Sequence, residues 1–96
     1  MIKIIAKKHV KSGKVNDFIE TAKELVEKSR AEEGNVFYTL NRSLREENVL
    51  VYVECWKDRA AIAAHNEAEH FKRLVPVLNG MCEDAVLPEM YEELDL

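Results

Sequence analysis

The stretch Val49 to Phe71, VLVYVECWKDRAAIAAHNEAEHF, passes from strand character into alanine-rich helix and carries most of the candidate chemistry of the chain. Its apolar lead, Val49 to Val53, runs into Glu54, and glutamate is both depleted in strand interiors and costly to bury without a partner. Strand side chains alternate, so Leu50, Tyr52, Glu54 and Trp56 share one face and Val49, Val51, Val53 and Cys55 the other. Both rows are largely apolar, and both faces of this strand are expected to be covered. Asp58 is placed to cap a helix through Ala60 to Ala64 and His65, which Asn66-Glu67 is expected to interrupt. A third helical piece then carries Ala68, Phe71, Leu74, Val75 and Leu78 to Gly80. Pro76 removes one backbone hydrogen bond there and predicts a kink or an early stop near Val75.

Working outward, residues 2–10 read as a strand. From Ser12, read as the N-cap, Val15, Phe18, Ile19, Ala22, Leu25 and Val26 recur at helical spacing until Gly34, which suits the left-handed residue that closes a helix. Asn35 to Ser43 alternates, with Val36, Tyr38 and Leu40 on one side, and the turn Arg45-Glu46-Glu47-Asn48 joins it to Val49 as a hairpin. Residues 84–93 supply a last strand, in which Pro88 points to an edge or a bulge. The order is strand, helix, strand, strand, helix, strand: an α+β, ferredoxin-like βαββαβ fold with an antiparallel four-stranded sheet, expected as one domain over residues 1–96. Helices cover one face. The other is most simply covered by a second copy of the chain, giving a homodimer through the sheet faces.

Composition narrows the function. At 96 residues, 47% hydrophobic and 33% charged, the chain has globular composition, and no stretch approaches the roughly 20 apolar residues that cross a bilayer. The opening Met1-Ile2-Lys3-Ile4-Ile5-Ala6 alternates like a strand rather than a secretory signal, so a cytoplasmic location is expected. A net charge of −4 argues against a nucleic-acid partner. Cys55 and Cys82 lack a CxxC spacing and are read as packing residues rather than a disulfide or a thiol-clasped metal. With three glycines in all, no phosphate-cradling loop and no GxSxG, nucleotide and serine-nucleophile chemistry are not expected.

The chemistry left is proton transfer. A carboxylate sunk beside Trp56 and Tyr52 has its ionised form disfavoured, which is how a general base near neutral pH is made; alternatively, Glu54 and Trp56 form a structural pair. His65 and Glu69 are four apart and share a helical face, whereas His70 lies about 140° round a continuous helix from His65. A break between the histidines would let His65, His70, Glu69 and Glu54 converge as a two-histidine, carboxylate metal site. Without convergence, one histidine acts alone as an acid or base, or both simply pack. No metal is assigned. His9, alone on the first strand, is expected near an exposed end.

The chain resembles the antibiotic biosynthesis monooxygenase family of small dimeric α+β barrels. The resemblance rests on the opening strand into Lys11-Ser12-Gly13-Lys14, on Glu32-Glu33-Gly34-Asn35 followed by Tyr38, on Glu54-x-Trp56-x-Asp58-x-x-Ala61, and on His65 with Glu69-His70-Phe71. It implies a small planar substrate bound between sheet and helices, and an electron-rich substrate that activates oxygen itself, with no cofactor. Trp56 would stack on the ligand, Glu54 and His65 would handle a proton, and His70, Phe71, Tyr52 and Tyr38 would line the cavity, with His70 a further catalytic candidate. The family also includes haem-degrading oxygenases, whose first-strand asparagine is replaced here by Lys8 and whose iron-binding histidine falls at Val75, so haem chemistry is not implied. The Lys57-Asp58, His65 and Glu69-His70-Phe71 pattern is also similar to the enzyme that processes the phosphorylated autoinducer-2 signal. That similarity implies an isomerase or related proton transfer on a small polar ketone. A non-catalytic dimeric binding barrel is the third reading.

Overall fold

The apolar spacing is realised as β1 (Ile2–His9), α1 (Val15–Arg30), β2 (Asn35–Arg42), β3 (Val49–Trp56), α2 (Arg59–Glu67), α3 (Glu69–Gly80) and β4 (Glu89–Glu92) in a computed structural model that describes residues 1–96. The strands form one antiparallel sheet in the order β2-β3-β1-β4, the ferredoxin-like arrangement. In register, Glu54 stands between Ile4 on β1 and Tyr38 on β2, so the acid occupies a central position of the sheet.

Phe18, Ala22, Leu25 and Ser29 make one buried stripe on α1, which packs with Leu74 and Leu78 of α3 over the row Ile4, Ala6, Tyr38, Leu50, Tyr52 and Trp56. Leu25, Phe18 and Trp56 are within 1% of complete burial. The hairpin turn ends at Asn48, which takes the left-handed conformation (φ 62°) that asparagine tolerates better than most residues. Asp58 caps α2 as its sequence indicates, accepting from the Ala61 N–H at 2.8 Å.

Several local expectations are corrected. The first helix begins at Val15 after Lys14, not at a Ser12 cap, because Gly13 turns the chain at φ 81° immediately beforehand. It stops at Arg30 with Ala31 as C-cap, and Gly34 has a different use. A Cβ at Gly34 would lie 2.2 Å from Ala61 Cβ, so glycine lets the turn after α1 touch α2. α3 runs past Pro76 to Gly80 without an early stop. Lys72 and Pro76 are both exposed, so water can take the carbonyl that proline leaves without a partner. The last strand is only four residues long and starts after Pro88, while residues 86–88 border the space between the sheet and α3. No helix is long and apolar enough to cross a membrane.

Candidate functional site

A cavity of about 320 Å³ lies between the helix-covered face of the sheet, α3 and the segment 86–88. Tyr38, Tyr52, Glu54, His65 and Phe71 line it, with Ile4, Ala6, Leu25, Val75 and Leu78 supplying apolar wall and Lys8, Asn66 and Asn79 the remaining polar groups. Three larger depressions, about 460 Å³ beside the β2–β3 turn, about 830 Å³ along α1 and β2, and about 460 Å³ where the turn after α1 meets α2, contain no histidine and no fully buried carboxylate. Chemistry that moves protons therefore points to the smaller cavity.

Glu54 is buried, and its Oε1 accepts from Trp56 Nε1 at 2.9 Å. Burial pushes its pKa up to about 7; the Trp56 hydrogen bond and the Lys8 charge oppose the shift, and the Glu32 charge reinforces it. Tyr38 and Tyr52 stand within 5.6 Å of each other between centroids, and burial raises the pKa of both phenols further out of reach of ionisation. The Tyr52 hydroxyl has no hydrogen-bond partner although it is buried. A cavity-lining donor without a partner is a group that a ligand can satisfy.

His65 lies over Trp56, with ring centroids 4.4 Å apart, and meets the edge of Phe71 at 5.0 Å. Its Nδ1 is 2.6 Å from Glu32 Oε2, and the same oxygen is 2.9 Å from His70 Nε2. An ionised carboxylate only accepts, so both contacts place N–H on the ring nitrogens named. Nε2 of His65 is thereby left as the basic nitrogen on a ring that borders the cavity. Burial lowers the His65 pKa, the Glu32 hydrogen bond and charge oppose this, and the His70 charge adds to the lowering. The net direction favours the neutral ring.

The two histidines do converge. The break falls at Ala68, whose extended ψ of 146° ends α2 and redirects the chain into α3. The carboxylate at the meeting point is Glu32, however, rather than Glu69 or Glu54. Glu69 is exposed and paired with Arg73, and Glu54 is engaged with Trp56. Glu32 Oε2 and the two ring nitrogens lie within 4.8 Å of one another, which makes Glu32, His65 and His70 the one group of three able to hold a metal ion.

Glu32 sits in the turn that follows α1, fixed by Glu32 N–H to Ser29 O and Asn35 N–H to Glu32 O, and docked on α2 through Gly34. No local pattern in Glu32-Glu33-Gly34-Asn35 marks Glu32 as the partner of the two histidines. Among the other candidates, His70 and Trp56 do not border the cavity: His70 stands behind Glu32, and Trp56 is 0% exposed behind His65 and Glu54. His9 is half-buried near the strand end and pairs with Asp84 at 3.0 Å.

Residues 1–77 match the family model for antibiotic biosynthesis monooxygenase. The chain belongs to that family. It is 47% identical over 75 residues to "Putative monooxygenase YcnE" of Bacillus subtilis, covering 78% of this chain and 79% of that protein. Among solved structures, a conserved protein from Methanosarcina mazei superposes with a TM-score of 0.93 at 30% identity, over 97% of this chain and 92% of that one. A crystal structure described as an antibiotic biosynthesis monooxygenase gives 0.92 at 32% identity, over 99% and 100%. Family members thus share the fold across nearly the whole chain.

Proposed function

We propose that the chain is a cofactor-independent monooxygenase of quinols or similar hydroxylated aromatics. The observation that carries this reading is a neutral histidine, held through Nδ1 by Glu32, on the wall of a mostly apolar cavity that also contains Glu54 and the unpartnered Tyr52 hydroxyl. His65 removes the hydroxyl proton of the substrate; the electron-rich anion adds dioxygen at a ring C–H carbon, the peroxide takes the proton back, and loss of water leaves one oxygen atom as a ring carbonyl. Glu54, with a pKa about 7, exchanges a proton at the end of the cycle. Tyr52, Tyr38 and Phe71 hold the ring. His70 and Trp56 act through others: His70 braces Glu32, and Trp56 supports both His65 and Glu54. Aerobic incubation with hydroquinone and naphthoquinol panels should give oxygenated products that anaerobic incubation lacks; identical products under both conditions would overturn the proposal.

Two proton-handling groups on one cavity also favour a second reading, an oxygen-independent isomerase acting on a small polar ketone. That reaction would exchange a carbon-bound hydrogen of the substrate with deuterated water, and exchange would stop in Glu54→Gln and His65→Ala.

The protein is further read as a homodimer through the outer sheet face. Ile5 and Phe37 are each 37% exposed there, beside half-buried Val51 and Val53, and Lys3, Lys7 and His9 form a polar rim. Sedimentation at micromolar concentration should show a dimer that Val53→Asp dissociates, and a stable wild-type monomer would contradict this.

A further inference from the structure

Lys8 is the only cation bordering the cavity, and it is half-buried there. It lies on the inward row of β1 with Ile4 and Ala6, opposite Leu50, a position where apolar residues are the rule. No carboxylate pairs with it. Its amine donates to Asn79 Oδ1 at 3.1 Å, whereas the outward neighbour Lys7 is paired with Glu46 at 3.1 Å. Register places Ile4 opposite Glu54 and Lys8 opposite Leu50, so the backbones of the two polar ends are about 13 Å apart at the usual strand rise. Ala6, Val75 and Leu78 also line the cavity, and Tyr52, whose buried hydroxyl has no partner, is the register partner of Ala6, midway along the row.

A cavity with a base at one end, an unpaired ammonium at the other and apolar wall between fits a ligand of the same pattern. Resting on the reading of the cavity as a hydroxylated-aromatic site, we infer that the substrate carries an anionic group, a carboxylate or a phosphate, which Lys8 and Asn79 bind while its hydroxyl faces His65. The small alanine at position 6 leaves room for the ring beside Tyr52. A half-buried ammonium has already shed part of its hydration, which lowers the cost of meeting the anion.

Isothermal titration of the full chain with three rigid probes tests this: 2-naphthol, 6-hydroxy-2-naphthoate and 6-hydroxynaphthalen-2-yl phosphate, at a pH that keeps the naphthol neutral. At least one anionic probe should bind about tenfold or more tighter than 2-naphthol, and the tighter of the two identifies the anion. Lys8→Met, which keeps the aliphatic stem, should abolish the preference, read as the ratio of anionic-probe to 2-naphthol affinity. Equal binding of neutral and anionic probes, or a preference that survives Lys8→Met, overturns the inference while the aromatic site stands. Binding of none of the three overturns both. Oxygen-dependent turnover confined to neutral quinols would keep the monooxygenase reading and sink this one.

Discussion

The two faces of β3 are built from alternate residues of one eight-residue strand, yet they meet different fates. Toward the helices, Leu50, Tyr52, Glu54 and Trp56 are sealed within the chain, and the one acid among them is held by an indole N–H and raised toward neutrality. On the outer face Val51 and Val53 are only half-buried, beside exposed Ile5 and Phe37, and the nearby lysines are paired near the surface. Burial by the chain's own helices perturbs the groups it encloses; burial left incomplete leaves the apolar surface on which the proposed second copy would dock. The same contrast separates the Glu32–His65–His70 group from Glu24–Arg73–Glu69. Each joins three residues through a central one, the Glu32 carboxylate in the first and the Arg73 guanidinium in the second, but the second is solvent-exposed and so contributes little.

The largest effect should come from Trp56→Ala, which empties the centre of the inner face and leaves Glu54 without its donor. It should cost about 3–5 kcal/mol in urea unfolding, the range for large aromatic truncations. His65→Gln keeps much of the volume and removes the base, so kcat/KM should fall by about 10² to 10⁴ with the fold intact by circular dichroism.

Glu54→Gln sharpens the comparison through pH. The acid's folded pKa, about 7, lies above its ordinary 4.5, so its favourable contribution is present below about 4.5 and is lost as pH rises to about 7. The variant, whose amide oxygen still accepts from Trp56, should match wild type near pH 4 and exceed it by about 1–3 kcal/mol at pH 8. His65 acts in the opposite sense, its lowered pKa contributing stability above about 6.5 that is lost on acidification, so the difference between the two melting curves isolates Glu54. Arg73→Ala, the surface counterpart, should shift the unfolding midpoint least, and a large shift would break the distinction between the two networks.

The elements that sequence reasoning placed best are those fixed by local rules. Asp58 caps because its side chain reaches an N–H three residues on, and the double-sided pattern of β3 follows from side-chain alternation. The elements misplaced were decided at a distance. Gly34 looks like a helix terminator, but its lack of a Cβ answers to Ala61, 27 positions away. Glu32 was unread for the same reason: nothing local distinguishes it from Glu33, and only the docking of its turn on α2 brings it to both histidines. The conditional meeting of His65 and His70 was legible as geometry, while the residue that breaks the helix, Ala68, has no breaker chemistry of its own. Trp56 was legible as part of the site but not as buried behind it.

The central claim is that Glu32 fixes His65 as a neutral base with Nδ1 protonated and Nε2 free. Long-range ¹H–¹⁵N correlation spectra of the imidazoles across pH read this directly. The account predicts the Nδ1–H tautomer for His65 at pH 7, with protonation only below its ordinary pKa of 6.5. An Nε2–H tautomer, or an imidazolium persisting above that pH, would contradict it.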